Sequence, residues 1–193
     1  MTQRSVLAIS GDVRSPSRTC VLVAALAGAV AARLGSLARV LEVAKEGLPL
    51  LVAPTRAQLS RAGRELVAQI ESADVLILGA PVFRGSYTGA LRHVLDLVSP
   101  GVLAGTPILL AAAGSHPGGL VTEHRLRDLA GLSVTLTVPT TVYAAEEDFT
   151  GYAVASPAVL ERIERAADEA AALLDVARGW SGLVGNEALA AVA

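Results

Sequence analysis

The chain has 193 residues, a net charge of -2, 52% hydrophobic and 18% charged residues. That is enough for one domain with a sizeable core, and the slightly acidic balance excludes a nucleic-acid groove, which needs clustered basic side chains. The one cysteine, Cys20, cannot close an internal disulfide, which fits a reducing cytoplasm.

An apolar run at 20–32 lies between Arg18 and Arg33 and ends in Ala-Val-Ala-Ala. Its outline resembles a signal peptide. Cleavage there would remove the first apolar strand, and the run is shorter than the roughly 18 residues of a membrane span. It is read as a buried helix of a cytoplasmic protein without a membrane partner.

In chain order, 5–10 reads as a strand without clean alternation, as expected when both faces are buried. A turn rich in Ser, Arg and Thr follows, then a helix at 17–34 stopped by Gly35. A strand at 38–43 precedes a loop at 45–54, broken by Gly47, Pro49 and Pro54. A helix at 55–72 carries Arg56, Arg61, Arg64, Glu65 and Glu71 on a wet face. The strand at 74–80 leads to a loop at 81–89 and a helix at 87–98. After a turn at 100–105 come a strand at 107–113, a loop at 114–119 and a helix at 120–130. A fifth strand is expected at 133–138, running on through 140–143. Glu146-Glu147-Asp148 reads as an acidic surface turn, and 157–178 as a final helix. Residues 1–178 form one domain in this reading, with 179–193 a C-terminal tail.

Strand–helix alternation repeated five times implies an α/β three-layer sandwich around a parallel sheet. Right-handed crossovers leave few topologies. Five strands suit the order 2-1-3-4-5, which places a ligand outside the carboxyl ends at the switch between strands one and three. The Gly/Ser-rich loops after strands one, three and four would all emerge at that end.

The first of these is Ser10-Gly11-Asp12-Val13-Arg14-Ser15-Pro16-Ser17-Arg18-Thr19. It is neither a Gly-x-Gly-x-x-Gly fingerprint nor a Walker loop. A turn that opens a helix presents unpartnered amides and a positive dipole end. Ser10, Ser17 and Thr19 add hydroxyls, and Arg14 and Arg18 add forked cations suited to phosphate. The plain alternative is a turn capped by Ser17. The second loop, Gly79-Ala80-Pro81-Val82-Phe83-Arg84-Gly85-Ser86-Tyr87-Thr88-Gly89, lets backbone approach a flat ring; its plain alternative is a turn with Ser86 as helix cap. Cys20 near a helix start is expected to be a packed small residue. His93 and Asp96, three apart on a helix, lack recognisable metal-ligand spacing.

Together with Ala90-Leu91-Arg92 and Ala113-Gly114-Ser115, these loops resemble the NAD(P)H-dependent FMN reductases of flavodoxin-like fold, in particular the flavin-supplying reductases of two-component sulfonate monooxygenase systems. The resemblance covers about residues 4–178. It implies FMN phosphate contacts from Arg14, Ser17 and Thr19 with the amides of 11–15; Ser10 and Arg18, read above as phosphate-facing, complete the expected cofactor-binding set in this loop. It implies that Pro81, Val82, Phe83 and Arg84 line the ribityl chain and isoalloxazine. Tyr87 and Gly89 would sit at the cofactor or nicotinamide side, and Gly114 and Ser115 at the pyrimidine end. NADPH or NADH would stack on the flavin and pass hydride to N5, without an acid or base from the protein. Amides of the third loop would stabilise charge growing at N1/O2.

The resemblance also implies a homodimer or homotetramer and delivery of reduced FMN to a partner monooxygenase. Two departures stand out. Asp12 occupies a position where relatives carry Ser, so it should point outward or lower the affinity. His124 takes the place of an inserted Tyr that widens a helix into a π turn at a tetramer contact in some relatives. The same loops would also serve an FMN-binding electron carrier, a quinone or azo reductase, or a relative that has lost flavin.

Overall fold

The computed structural model describes residues 4–114, 119–131 and 135–181. Its elements in order are β1 (Ser5–Ser10), α1 (Arg18–Leu34), β2 (Leu37–Glu42), α2 (Val43–Glu46), α3 (Leu48–Leu51), α4 (Arg61–Glu71) and β3 (Val75–Pro81). These are followed by α5 (Gly89–Asp96), β4 (Pro107–Ala113), α6 (Gly119–Gly131), β5 (Leu136–Thr137), β6 (Val142–Ala144), β7 (Phe149–Thr150), β8 (Ala153–Val154) and α7 (Pro157–Ser181).

The main sheet runs β2-β1-β3-β4-β5, with β6 also paired to β4, and these pairings are parallel. Alternate residues of each central strand enter opposite cores, as a period of two requires. Val6, Ala8, Val75, Ile77, Leu109 and Ala111 join α1 and α7 on one face. Leu7, Ile9, Leu76, Leu78, Ile108 and Leu110 join the cluster of α4, α5 and α6 on the other. Each buried Leu or Ile contributes roughly 1.5–3 kcal/mol by leaving water. The expected flavodoxin-like three-layer sandwich and its strand order are therefore present.

Three local differences have local causes. The expected loop at 45–54 contains the end of α2 and the whole of α3. Pro49 falls at the start of α3, where a missing N–H costs nothing. The expected long helix at 55–72 is a 3₁₀ turn at Arg56–Gln58, an extended Leu59, and then α4, whose cap Ser60 accepts from the Gly63 amide. The fifth strand is split into β5 and β6, with Pro139 between them, which has no N–H for the ladder. The start of that expected strand, at 133–134, lies outside the described residues. The hairpin β7–β8 is additional to the expected elements.

Candidate active site

The carboxyl ends of β3 and β4 are level, and β1 stops slightly short of them. Ser10 of β1 pairs in register with Gly79 of β3, and Pro81 with Ala113 of β4. Gly79 has no room for a side chain: a Cβ would lie 2.1 Å from Val23 Cγ1. Across that gap the Gly11 amide donates to the Gly79 carbonyl at 2.8 Å, fastening the first loop to the second strand end.

The first loop is held from several sides. Ser17 is the N-cap of α1, and its hydroxyl oxygen accepts from the Cys20 amide at 3.1 Å. Thr88 caps α5 by accepting from the Leu91 amide, and its hydroxyl donates to the Gly11 carbonyl at 2.6 Å. The cap of this helix is thus Thr88 and not Ser86, whose backbone pairs with Phe83 instead.

Asp12 does not point outward. Its side chain is 5% exposed. It accepts from the Arg14 amide at 3.0 Å and from Arg14 Nε at 3.2 Å. The hydrogen bond, then the charge, of Asp12 raises the Arg14 pKa above its ordinary value. An Asp that folds back onto the amide two residues on is a known turn device, so burial here does not leave a bare charge.

A cleft of about 400 Å³ opens at this edge, lined among the described residues by Asp12, Arg14, Pro16, Ser17, Arg18 and Thr19, together with Pro81, Ala113, Gly114, Glu146 and Tyr152. Its size is that of a small-molecule site. Of the residues expected at the site, Arg14, Ser17, Arg18, Thr19, Pro81 and Gly114 are brought together on its walls. Ser10 is buried at the end of β1 and is not a lining residue. Ser115 lies outside the described residues.

Val82, Phe83, Arg84, Tyr87 and Gly89 stand beyond the lining, on a short hairpin rooted at the rim. At one foot the Val82 amide donates to the Ala113 carbonyl. At the other, Thr88 holds Gly11. Phe83 and Ser86 bond each other's backbone in both directions, across Arg84 (φ 51°) and Gly85 (φ 71°). Two left-handed residues make this a turn of the primed type, where Gly at the second position removes half the strain. Phe83 is 62% exposed and Arg84 is exposed. Tyr87 packs against the α5 side of the core, and Gly89 begins α5.

The third loop's first residue is fixed. A Cβ on Gly114 would lie 2.7 Å from Val82 Cβ. Its amide donates to the Ala144 carbonyl at 3.1 Å, and its own carbonyl accepts from the Tyr143 hydroxyl at 2.6 Å. The Gly114 amide is therefore already used, and this residue offers a flat backbone surface rather than the expected charge-stabilising donor.

Glu146 and Tyr152 were not anticipated as site residues. They come from the 3₁₀ turn Glu146–Asp148 and the β7–β8 hairpin, far from the first loop in sequence. Glu146 accepts from Arg18 at 2.7 Å, and the Arg18 guanidinium stands 5.9 Å over the Phe149 ring. Opposite charges placed 128 residues apart carry no local pattern that would pair them.

The other candidates have plain structural roles. Burial, then the charge of Glu42, pushes the Cys20 thiol up to about 11, away from nucleophilic use. His93 Nε2 lies 2.9 Å from the Ala53 carbonyl, clasping α5 to the segment after α3. α6 is a regular α-helix over its whole length, and His124 sits on its exposed side. Among the described residues there is no group of three or more His, Cys, Asp or Glu that could hold a metal, and no helix is long and apolar enough to cross a membrane.

The donor set fits the phosphate of a mononucleotide. The free amides of a 17-residue helix, the Ser17 hydroxyl and two guanidiniums meet at one end. Pro81 and the side-chain-free surface of Gly114 form flatter walls at the other.

A parallel 2-1-3-4-5 sheet with such a cleft at the β1/β3 switch defines a flavodoxin-like nucleotide-binding protein. Residues 4–150 match the model of the NADPH-dependent FMN reductases, and the chain belongs to that family. A Pseudomonas aeruginosa protein named FMN reductase (NADPH) is 40% identical over 169 residues, 87% of this chain and 91% of that one. The NADH-dependent FMN reductase SfnF of Pseudomonas fluorescens is 41% identical over 169 residues, 87% and 90% of the two chains. Among solved structures, an NADH:FMN oxidoreductase in its apo form superposes with a TM-score of 0.77 at 28% identity, covering 88% of this chain and 89% of that one. The protein is an NAD(P)H-dependent FMN reductase, an oxidoreductase that uses NADPH or NADH and FMN.

Proposed function

We propose that this cleft is the seat of FMN, with the phosphate at the amino end of α1 and the ring toward Pro81 and Gly114. The observation that carries this reading is the meeting of Arg14, Ser17, Arg18 and Thr19 with the α1 amides on one cleft wall. Bound flavin supplies a two-electron acceptor for the hydride of the reduced nicotinamide, and no side chain has to act as acid or base in that transfer.

The residues of this chain bind and orient. Ser17, whose oxygen already accepts from Cys20, keeps its hydroxyl hydrogen for the phosphate. Arg18 stands over Phe149 and reaches the same point. Gly114 brings bare backbone to the ring, because Val82 fills the space of any side chain there. The hairpin of Phe83 and Arg84 borders the open side, where Phe83 offers an aromatic face to the nicotinamide or ring edge.

We further infer that reduced FMN leaves for a partner flavin-dependent monooxygenase, and that the protein works in the cytoplasm as a homodimer or homotetramer. An exposed phosphate seat supports exchange: the Arg14 side chain is 78% exposed. Apolar side chains at Leu48 and Val52, exposed beside α5, support a subunit contact.

The test is oxidation of NADPH or NADH by purified protein as FMN is varied, for the wild type and R18A. The substitution should raise the KM for FMN about tenfold, the scale of one lost charge-assisted contact, and leave the KM for riboflavin unmoved. Equal values for FMN in the two proteins would remove Arg18 from the seat.

A further inference from the structure

Both guanidiniums that face the cleft already hold a carboxylate. Arg14 is bound by Asp12 and Arg18 by Glu146, so these four side chains sum to no net charge. A phosphate dianion entering the seat meets the helix amides, but not a free cation among these two.

The two carboxylates differ. Asp12 is buried and also holds the Arg14 backbone amide, so the loop is built around it. The Glu146 side chain is 66% exposed and pairs only at its tip. Its 3₁₀ turn does not depend on it: Asp148 caps that turn by accepting from the Ala145 amide at 2.7 Å. Arg18 also has the Phe149 ring beneath it, which keeps the guanidinium in place when Glu146 leaves. An exposed pair of this kind is weakly held, so the glutamate can swing into water while the arginine stays.

We propose that Glu146 is a built-in competitor for the flavin phosphate: it occupies Arg18 in the free protein and yields it to FMN, keeping the flavin exchangeable. This rests on the phosphate seat proposed above. A single negative charge about 6 Å from a dianion, at near-water dielectric, weakens binding about tenfold. Binding of a flavin without phosphate should not feel it. Glu146 thus sets how firmly FMN is held without touching the ring.

The experiment measures dissociation constants for FMN and riboflavin, by quenching of flavin fluorescence, in the wild type and E146Q. Neutral Gln keeps the shape and removes the charge. The expected result is FMN bound about tenfold more tightly by E146Q, with riboflavin unchanged. FMN preferred over riboflavin to the same degree in both proteins would overturn the role of Glu146 and leave the seat standing. No preference for FMN in either protein would overturn the seat and the competitor together. Equal shifts for both flavins would mean that the substitution only reshapes the cleft, and would also overturn the proposal.

Discussion

The two ends of the cleft are built in opposite ways. At the proposed phosphate end, Gly11, Ser17 and Thr88 tie the loop to β3, α1 and α5, and Asp12 closes the loop on Arg14. At the rim beside the proposed ring end, the turn of Phe83 to Ser86 is closed on itself by two mutual backbone bonds, with Phe83 in solvent. The first arrangement suits a small charged group held in one place, as proposed for the FMN phosphate. The second presents an exposed aromatic side chain at the rim. Stability and binding are therefore coupled at one end and separable at the other.

The largest effect is expected where the phosphate end is least forgiving. In G79A the new methyl would meet Val23, a buried β-branched side chain that is stiff at χ1. A loss of about 3 kcal/mol in unfolding free energy is expected by chemical denaturation, the upper range for overpacking. A midpoint equal to wild type would show that α1 does not press on the strand end as described.

T88V is expected to cost about 2 kcal/mol, combining a lost helix cap with an orphaned Gly11 carbonyl. Because Thr88 holds the phosphate loop, the KM for FMN should rise as well. Lost stability with unaltered FMN kinetics would uncouple the loop from α5.

F83A should change stability by less than about 0.5 kcal/mol, as for an exposed site. Steady-state kinetics should show a higher KM for flavin or nicotinamide nucleotide. A melting temperature well below wild type would mean that the hairpin is part of the folded core, and would erase the contrast between the ends.

Much of the fold was readable because strong local signals agree with it. β1 and β4 occupy the expected residues, since each is an apolar run bounded by turn-formers. α1 begins after Ser17 and ends at Gly35, the residues that reading its caps selects. The short helices α2 and α3 were hidden by Gly47 and Pro49, breakers in mid-helix but harmless at helix ends. Within the site, residues on the strand ends could be placed from topology alone. Asp12 takes its position from Arg14, two residues away, which it binds, and not from the ligand it would face. Glu146 and Tyr152 were beyond reach, because the turn and hairpin that carry them join the site only through tertiary packing.

The pairing of α1 with α7 has a consequence for synthesis. The two helices share one core cluster, and Arg33 of α1 grips Glu164 and Asp168 of α7 at 2.7 Å each. Translation runs from the amino end, so the greasy side of α1 that faces α7 stays bare until α7 leaves the ribosome. A nascent chain halted before residue 157 would carry the anion loop complete in sequence yet lack the helix that covers its scaffold. Full burial of that core therefore waits on α7, far downstream of the loop it supports.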